Sequence, residues 1–197
     1  MRLNRIRLYK IHALLQGWKT KMLWNSMKKD FRHVGKNGGV YSLPHISGSK
    51  HISIGNHYYF GQDVRIEAWD KYQQTEYSPS VEIGDHVVLT DRVYISCVDK
   101  VRIGNGVLIG RDVFITDNSH GNLTSAELPI MPKERELSSK GPVTIGDNVW
   151  IGRNVTILSG VTIGNGAVIG AHSLVNKDVP DNCFVAGTPG EIKRLLD

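Results

Sequence analysis

A six-residue spacing of apolar residues predicts that this 197-residue chain folds as an all-β protein, a parallel β-helix. In the second half of the chain the apolar positions recur every six residues without a break, at Ile145, Ile151, Ile157, Ile163, Ile169 and Val175. Three earlier sets keep the same step: Ile54, Phe60 and Ile66, then Ile83, Leu89 and Ile95, then Ile103, Ile109 and Ile115. We refer to these positions as anchors. The 21 glycines of the chain fit the prediction, because each coil of a β-helix needs tight backbone corners.

A repeat of six residues matches neither period of ordinary secondary structure. An amphipathic helix repeats every 3.6 residues, and a half-buried strand repeats every two. A strand of about four residues followed by a two-residue corner does repeat every six, with the anchor pointing inward and Gly, Asn or Asp at the corner. Three such sides close one coil, and successive coils stack at the strand spacing of about 4.8 Å. A β-sandwich would not keep this step through half of the chain, so the pattern favours a hexapeptide-repeat β-helix.

The N-terminal segment, residues 1–36, is strongly basic and lacks the repeat. It holds ten Lys and Arg against one acid, a net charge of +9 in a chain whose total is +5, so residues 37–197 carry −4. Its apolar residues predict helix over residues 2–33 with a break at Gly17. One interpretation is a cap on the open end of the coil stack. The other is a helix held at an anionic membrane surface through residues 1–33. No nucleic-acid recognition motif accompanies the charge, so nucleic acid is not an expected partner.

Three interruptions break the repeat. Residues 67–80, EAWDKYQQTEYSPS, are too polar and aromatic for a coil, and a step of eight between Ile95 and Ile103 predicts a bulge at residues 98–100. Between Ile115 and Ile145 the step is 30 residues instead of 6, which predicts a projecting loop over 116–142. Long loops on a rigid scaffold often carry function. This loop is therefore where a functional site is expected.

The end of the chain and its cysteines complete the outline. The C-terminal residues, TPGEIKRLLD, predict a short helix, which we delimit as 191–197, so the β-helix domain is expected over 37–190. The two cysteines, Cys97 and Cys183, lack metal-ligand spacing, which favours a reduced compartment. No apolar run reaches the ~18 residues that a membrane-spanning helix needs, and no signal peptide is recognisable. We therefore expect a cytoplasmic protein.

The segment GPVTIGDNVWIGRNVTILSGVTIGNGAVIGAHSLVNKDVPDNCFVAGTPGEIKR, residues 141–194, resembles the C-terminal signature of the hexapeptide-repeat acyltransferases. The resemblance extends over about residues 50–194. It implies a left-handed β-helix, a homotrimer and acetyl-CoA as the acyl donor. The run ITDNSHGN, the polar loop after it and GPVTIGDNVWIG are most similar to bacterial O-acetyltransferases of lipopolysaccharide O-antigen and capsule. The implied reaction is acetyl transfer to a sugar hydroxyl of a surface-polysaccharide precursor.

The resemblance also implies a catalytic base. In the relatives it is the histidine at the start of the inserted loop, and that position is His120 here. A neutral imidazole has a pKa near ambient pH and can take a hydroxyl proton as the new bond forms. Asp117, Asn118 or Asp99 would orient the ring or bind the acceptor, as a carboxylate orients the histidine of a serine hydrolase. Cys97 could instead form an acyl-enzyme, but no histidine lies near it in the sequence, so we favour direct attack by the acceptor.

The donor site follows from the same resemblance. Its matching positions are Arg153, Ala171, Asn176, Lys177 and Arg194. Arg194 matches a basic residue that meets the phosphates of coenzyme A, whereas a second basic position of the relatives is Glu191 here. An acidic residue of the acceptor pocket matches Asp99 when the bulge is aligned with a gap. Trp150, in the first coil after the loop, is expected to pack against the loop or a neighbouring chain, with direct contact to a ligand as the alternative.

Two alternatives remain open. The same scaffold and base could acetylate the amino group of an amino-sugar nucleotide. A protein of a different class would be a non-catalytic or metal-binding trimeric β-helix. The eight histidines show no metal-ligand spacing, so no metal is expected.

Overall fold

The main body of the protein is a left-handed parallel β-helix, as the sequence predicts. The computed structural model describes residues 2–122 and 124–196, with side chains from residue 14 onward. Three parallel sheets form the sides of the coils. The first sheet contains β1 (His33–Val34), β4 (Ile52–Ile54), β9 (Ser80–Ile83), β12 (Lys100–Ile103), β17 (Val143–Ile145) and β20 (Thr162–Ile163). The second contains β2 (Gly39–Val40), β5 (Tyr59–Phe60), β10 (Val88–Leu89), β13 (Leu108–Ile109), β18 (Trp150–Ile151), β21 (Val168–Ile169), β23 (Cys183–Ala186) and β24 (Glu191–Leu195). The third contains β3 (His45–Ser47), β6 (Arg65–Ala68), β11 (Tyr94–Cys97), β14 (Phe114–Thr116), β19 (Thr156–Ile157) and β22 (Leu174–Val175).

The anchors form the core and stack on the equivalent anchors of neighbouring coils. In the third sheet Ile66 pairs with Ile95, and Ile95 pairs with Ile115, all in parallel register. Every anchor is at most 4% exposed. Burying one such side chain contributes about 1.5–3 kcal/mol, so each coil adds stability through its anchors. The six-residue pattern is thereby confirmed as the core pattern.

The corner between the first and second sheets repeats an Asn or Asp in successive coils. Oδ1 of Asn105 accepts the backbone N–H of Asp85 at 2.9 Å, and Oδ1 of Asp147 accepts that of Asn105 at 2.6 Å. The residue after each Asn or Asp has a positive φ, which is 57° at His86, 67° at Gly106 and 56° at Asn148. The polar corner residues therefore link one coil to the next and satisfy backbone groups that the strands leave unpaired.

The N-terminal helix α1 (Arg2–Met27) differs from the prediction at two points. It continues through Gly17, because a glycine inside a helix costs about 1 kcal/mol but keeps its backbone N–H and does not end the helix. It also stops before residue 33: the turn of 3₁₀-helix Lys28–Asp30 follows, and His33 already belongs to β1, which pairs with β4. The first coil thus begins inside the segment that the sequence assigned to residues 1–36.

The C-terminal end of α1 covers the first coil. Trp24 is buried, and its indole Nε1 donates a hydrogen bond to the Tyr58 hydroxyl at 2.8 Å. The Trp24 ring also meets the ring of Phe31 edge-on, with centroids 5.5 Å apart. Through these contacts α1 caps the open end of the coil stack, which is one of the two interpretations that the sequence allowed. In the described part of the chain no helix has the length and apolar character that crossing a membrane would require.

The predicted C-terminal helix, residues 191–197, is wrong. Residues 191–195 form β24, which pairs antiparallel with β23, and Arg194 lies opposite Phe184. β23 is the last coil strand of the second sheet, and without a partner its backbone groups would form an open edge. A helix of seven residues would have gained little against the cost of nucleation. Asp197 lies outside the described residues.

The remaining elements lie outside the coils. Residues 71–76 form a hairpin of β7 (Lys71–Tyr72) and β8 (Thr75–Glu76). The long loop contains a two-stranded ribbon of β15 (Ser119–His120) and β16 (Leu137–Ser138). Single turns of 3₁₀-helix occur at Ser49–His51, Ser125–Glu127 and Pro132–Glu134. The loop predicted over 116–142 is therefore partly ordered by its own pairing.

Candidate active site

The three interruptions of the repeat lie at one corner of the stack, where the third sheet turns into the first. Strands β6, β11 and β14 are neighbours in register, with Ala68 opposite Cys97 and Ser96 opposite Thr116. The hairpin leaves the stack after β6, the bulge after β11 and the long loop after β14. Three non-coil segments are thus superposed on one side of the molecule. This corner is the candidate active site.

Asp117 organises this corner from inside. Its carboxylate is fully buried and accepts the backbone N–H groups of Val98 and Asp99, both at 2.9 Å. It also accepts the side-chain amide of Asn118 at 3.0 Å. These three bonds occupy both oxygens and fix the bulge against the start of the loop. The expectation that Asp117 orients His120 is therefore not supported, because its acceptors face the bulge backbone.

His120 lies on β15 of the loop ribbon, and its side chain is exposed. The ribbon holds its backbone opposite Leu137 of β16. Its ring contacts the ring of Tyr72 edge to face, with centroids 5.4 Å apart and planes at 64°. Within residues 2–122 and 124–196 no hydrogen bond joins the imidazole to Asp117, Asn118 or Asp99. The predicted base is therefore contacted by the Tyr72 ring and not by one of these carboxylates.

A cavity of about 480 Å³ opens between the loop and the coil corners, and His120 itself is not among its lining residues. The neighbours of the histidine, Ser119 and Gly121, both line it. Asn118 lines it as well and is fixed by a bond from Nδ2 to the Ser96 hydroxyl at 3.2 Å. The remaining lining residues are Thr116, Asn122, Ser138, Lys140, Leu158, Ser159 and Asn176. Seven of the ten lining residues are Ser, Thr or Asn, whose hydroxyl and amide groups suit an acceptor that carries hydroxyls.

A second groove, of about 620 Å³, runs along the outer face of the second sheet. Its floor is apolar and consists of stacked outward residues, Leu108, Trp150, Val168 and Phe184. Three predicted donor residues, Arg153, Ala171 and Arg194, line this groove together. Trp150 is 55% exposed and belongs to the groove floor, not to the loop. The groove suits an elongated ligand with an uncharged chain and anionic groups at the arginines.

The other two predicted donor residues lie elsewhere. Asn176 follows β22 and lines the cavity beside the loop, one corner away from Ala171. Lys177 faces a separate shallow depression together with Glu191, the residue that departs from the pattern of the relatives. In a single chain the five positions are therefore divided: three line the groove on the second sheet, and two follow β22 of the third sheet.

Cys97 is not placed to act as a nucleophile. Its thiol is fully buried, and its Sγ donates a hydrogen bond to the Ser80 carbonyl at 3.6 Å. Burial raises the pKa of the Cys97 thiol well above its usual range, and the nearby Asp117 carboxylate raises it further. A thiol that stays protonated and has no access to substrate cannot attack a thioester at neutral pH.

The hairpin is the part of the site that sequence reasoning missed. Its Tyr77 hydroxyl donates to the Leu137 carbonyl at 3.0 Å and accepts the Leu137 N–H at 3.0 Å. Burial raises the pKa of Tyr77, which keeps this hydroxyl protonated as the donor. The only sequence signal was the cluster of aromatics within a polar interruption, and it did not say what the hairpin contacts.

Two histidines outside the loop, His57 and His86, belong to the scaffold. His57 and His86 stack with ring centroids 4.6 Å apart at successive coil corners, where both have positive φ. Among the residues that the structure describes, no three His, Cys, Asp or Glu side chains form a group that could hold a metal ion.

Coils of six-residue repeats, an inserted loop with an exposed histidine and an apolar groove on the second sheet are together typical of a hexapeptide-repeat protein. The bacterial transferase hexapeptide family (six repeats) matches residues 142–177. A putative lipopolysaccharide biosynthesis O-acetyl transferase, WbbJ of Escherichia coli (strain K12), is 34% identical over 161 residues, which is 80% of this chain and 79% of that protein. Galactoside O-acetyltransferase of the same organism is 33% identical over 176 residues, 87% of this chain and 67% of that protein. The chain belongs to the hexapeptide-repeat acetyltransferases, and it is an enzyme.

Solved structures agree with this assignment. A hexapeptide-repeat acetyltransferase of Vibrio cholerae, complexed with acetyl coenzyme A, has a TM-score of 0.62 and 28% identity, over 90% of this chain and 78% of that one. A galactoside acetyltransferase in complex with coenzyme A has a TM-score of 0.57 and 31% identity, over 88% and 70%. AntD, an N-acyltransferase from Bacillus cereus, has a TM-score of 0.73 over 89% of each chain but only 20% identity, which speaks for the fold alone.

Proposed function

We propose that this enzyme moves an acetyl group from acetyl-CoA to a sugar hydroxyl of a bacterial surface-polysaccharide precursor, with His120 as the general base. The proposal rests on two observations: His120 is exposed on the loop ribbon, between two residues that line the cavity, and Cys97 is buried. The similarity to a putative lipopolysaccharide O-acetyl transferase supports the acceptor class. The complexes of two similar enzymes with acetyl coenzyme A and coenzyme A support the donor.

The chemistry needs one base and no covalent intermediate on the protein. The acceptor hydroxyl oxygen attacks the thioester carbonyl carbon, while the unprotonated ring nitrogen of His120 takes the hydroxyl proton. The C–S bond then breaks, and the leaving thiolate takes the proton from the imidazolium as free coenzyme A. An imidazole suits both transfers, because its pKa lies close to ambient pH. The products are an O-acetyl sugar and coenzyme A, with His120 returned to its starting state.

The chemical stability of the product tests the proposal against its nearest rival, acetylation of an amino-sugar nucleotide. The purified protein is incubated with acetyl-CoA and two matched acceptors, a sugar with only hydroxyls and the same sugar with one amino group. Release of the coenzyme A thiol is followed, and the product is then treated with mild base. We expect release with the hydroxyl acceptor and a product that base hydrolyses, because an ester is labile and an amide is not. A base-stable product formed only from the amino sugar would contradict the proposal in favour of N-acetylation.

The split of the donor residues supports a homotrimer with its site between chains. Arg153 and Ala171 line the groove on the second sheet, whereas Asn176 lies at the next corner beside the loop. One donor molecule could meet both sets if a second copy brings its loop corner against the groove of the first. Closed rings are the usual arrangement for such head-to-tail contacts, and three-sided coils favour three copies. Sedimentation equilibrium should give three times the chain mass of 21.9 kDa. A monomeric mass at micromolar concentration would exclude the shared site.

Helix α1 supports a second contact, with anionic lipid at the inner face of the cytoplasmic membrane. Leu14, Trp18 and Met22 project from one face of α1 and are 73%, 66% and 50% exposed, in a segment of net charge +9. Apolar residues beside clustered Lys and Arg are typical of interfacial helices. We expect the protein to float with anionic vesicles at low salt, and the Leu14→Ser/Trp18→Ser variant to float less. Equal recovery of both proteins, or no flotation of either, would leave α1 only its cap role.

A further inference from the structure

The hairpin arm, residues 69–77, reaches from one coil to the loop of another. It leaves the stack after β6, whereas the loop leaves it after β14, two coils further along. Its base is held by the stack, since the Trp69 N–H donates to the Cys97 carbonyl at 2.8 Å, and it is closed by the bond from the Tyr77 N–H to the Asp70 carbonyl at 2.9 Å. The arm is therefore anchored to the coils at its base and free to present its tip to the loop.

The tip and the far strand of the arm are bonded to the loop. The Tyr72 hydroxyl donates to the Lys133 carbonyl at 2.7 Å, and Nε2 of Gln73 donates to the same oxygen at 2.9 Å. The Thr75 hydroxyl donates to the Glu136 carboxylate at 2.5 Å. With the two bonds of Tyr77 to Leu137, the arm makes five hydrogen bonds to the loop. The arm thus fixes the outer strand of the ribbon that carries His120.

Three aromatic rings form a series that ends at His120. The Trp69 ring meets the Tyr72 ring edge-on, with centroids 6.3 Å apart and planes at 85°. The Tyr72 ring in turn meets the imidazole at 5.4 Å. Edge-to-face contacts at these distances are the favoured geometry of aromatic pairs. The Tyr72 side chain is itself held in place, by the ring of Trp69 and by the hydrogen bond to the Lys133 carbonyl. Its ring therefore contacts the imidazole from a fixed position.

A general base on an exposed loop needs such a support. The ring nitrogen must reach the hydroxyl proton within about 3 Å, and a displacement of about 1 Å can cost a hundredfold in rate. In a serine hydrolase a carboxylate bonded to the second ring nitrogen supplies this constraint. Here Asp117 is engaged with the bulge, so the carboxylate nearest in sequence does not supply it.

We propose that Tyr72 is the positioning residue for His120, and that the hairpin arm holds the catalytic imidazole through the Tyr72 ring instead of through a carboxylate. The inference rests on the proposed function, in which His120 is the general base. It assigns a role to the first interruption of the repeat, which the acetyl-transfer chemistry alone leaves without one. It also explains why the arm and the loop leave the stack at the same corner.

Two substitutions at residue 72 distinguish the contribution of the ring to kcat from that of the hydroxyl. Tyr72→Phe keeps the ring and loses the bond to Lys133, and it should retain kcat within about threefold. Tyr72→Ala loses both, and it should lower kcat about 10- to 100-fold while the KM for acetyl-CoA stays unchanged. Gln73→Ala is the matched control, because it removes the other bond to the Lys133 carbonyl but no ring. If Gln73→Ala and Tyr72→Phe lower kcat as much as Tyr72→Ala does, the arm only attaches the loop, and the proposal is overturned. Wild-type kcat in Tyr72→Ala would overturn it as well.

A second readout does not depend on the reaction. In protein labelled with ¹³C-histidine, the Hε1 resonance of His120 is assigned by its loss in His120→Ala. A ring 5.4 Å away shifts this resonance, so Tyr72→Ala should move it and Tyr72→Phe should leave it close to its wild-type position. If no sugar is acetylated by the wild type, the proposed function fails, yet this pattern would still support the positioning contact. An unchanged resonance in Tyr72→Ala would overturn it.

Discussion

Replacement of His120 by alanine should lower kcat by roughly 10²–10⁴, the usual span for loss of a general base. The fold should be retained, because the side chain is exposed on the ribbon and contributes no volume to the stack of anchors. The KM for acetyl-CoA should change little, because the groove with Arg153 and Arg194 lies on the second sheet. Thiol release under saturating donor and acceptor measures kcat, and thermal unfolding checks the fold.

Cys97→Ala is the matched variant for the alternative mechanism. The thiol is buried, and its pKa is raised by burial and by Asp117, so no acyl-enzyme should form on it. We expect near wild-type turnover, with a loss of about 1 kcal/mol in the free energy of unfolding from the smaller buried side chain. Near wild-type turnover in His120→Ala together with an inactive but folded Cys97→Ala would refute the general-base assignment and favour an acyl-enzyme.

The Arg153→Ala/Arg194→Ala variant should raise the KM for acetyl-CoA by about 10- to 100-fold, since each hydrogen bond to a charged group contributes about 1.5–3 kcal/mol and solvent exposure reduces this value. Both guanidinium groups lie at the edge of the groove whose floor is apolar. Coenzyme A carries phosphates at one end of a long uncharged arm, and the groove offers the complementary arrangement. The kcat at saturating donor should change little, because neither arginine lies beside His120.

The control for this variant removes the same charge from the same region. Arg111→Ala/Lys193→Ala deletes two cations that lie outside the groove, where each forms an ion pair, with Asp91 and with Glu191. Its KM for acetyl-CoA should stay within about twofold, because only screened, long-range attraction is lost. Equal increases in KM for both variants would mean that net charge, and not the groove, attracts the donor. An unchanged KM in Arg153→Ala/Arg194→Ala would locate the phosphate site elsewhere, for example at Lys177.

The sequence predicted the β-helix because its repeat is enforced by geometry in every coil. Each anchor must point inward at the same place in each strand, so an apolar residue is required at every sixth position. The two ends of the chain do not follow this rule. β24 forms because the last coil needs a partner for its edge, which a local pattern in residues 191–197 does not reveal. The continuous helix at Gly17 shows that a propensity penalty alone does not end a helix.

Part of the site could also have been found from the sequence. The hairpin, the bulge and the loop follow Ile66, Ile95 and Ile115, each the third anchor of its set, and counting sides assigns all three to one corner. The contact between Tyr72 and His120 could not be found in this way. It depends on how two irregular segments fold onto each other, and neither segment has a period that fixes its direction. The hydrogen bonds from the bulge backbone to Asp117 could not be predicted from the sequence for the same reason.

The proposed trimer has His120 of one chain acting on a donor held in the groove of its neighbour, and mixing two inactive variants tests this shared site. His120→Ala and Arg153→Ala/Arg194→Ala are dissociated, mixed in equal amounts and reassociated, and activity is measured at acetyl-CoA far below its KM. Random assembly of a ring gives about a quarter of the sites an intact histidine and an intact groove from different chains, so about a quarter of wild-type activity should return. Activity no higher than the mean of the two separate variants, in verified mixed trimers, would contradict a site shared between chains.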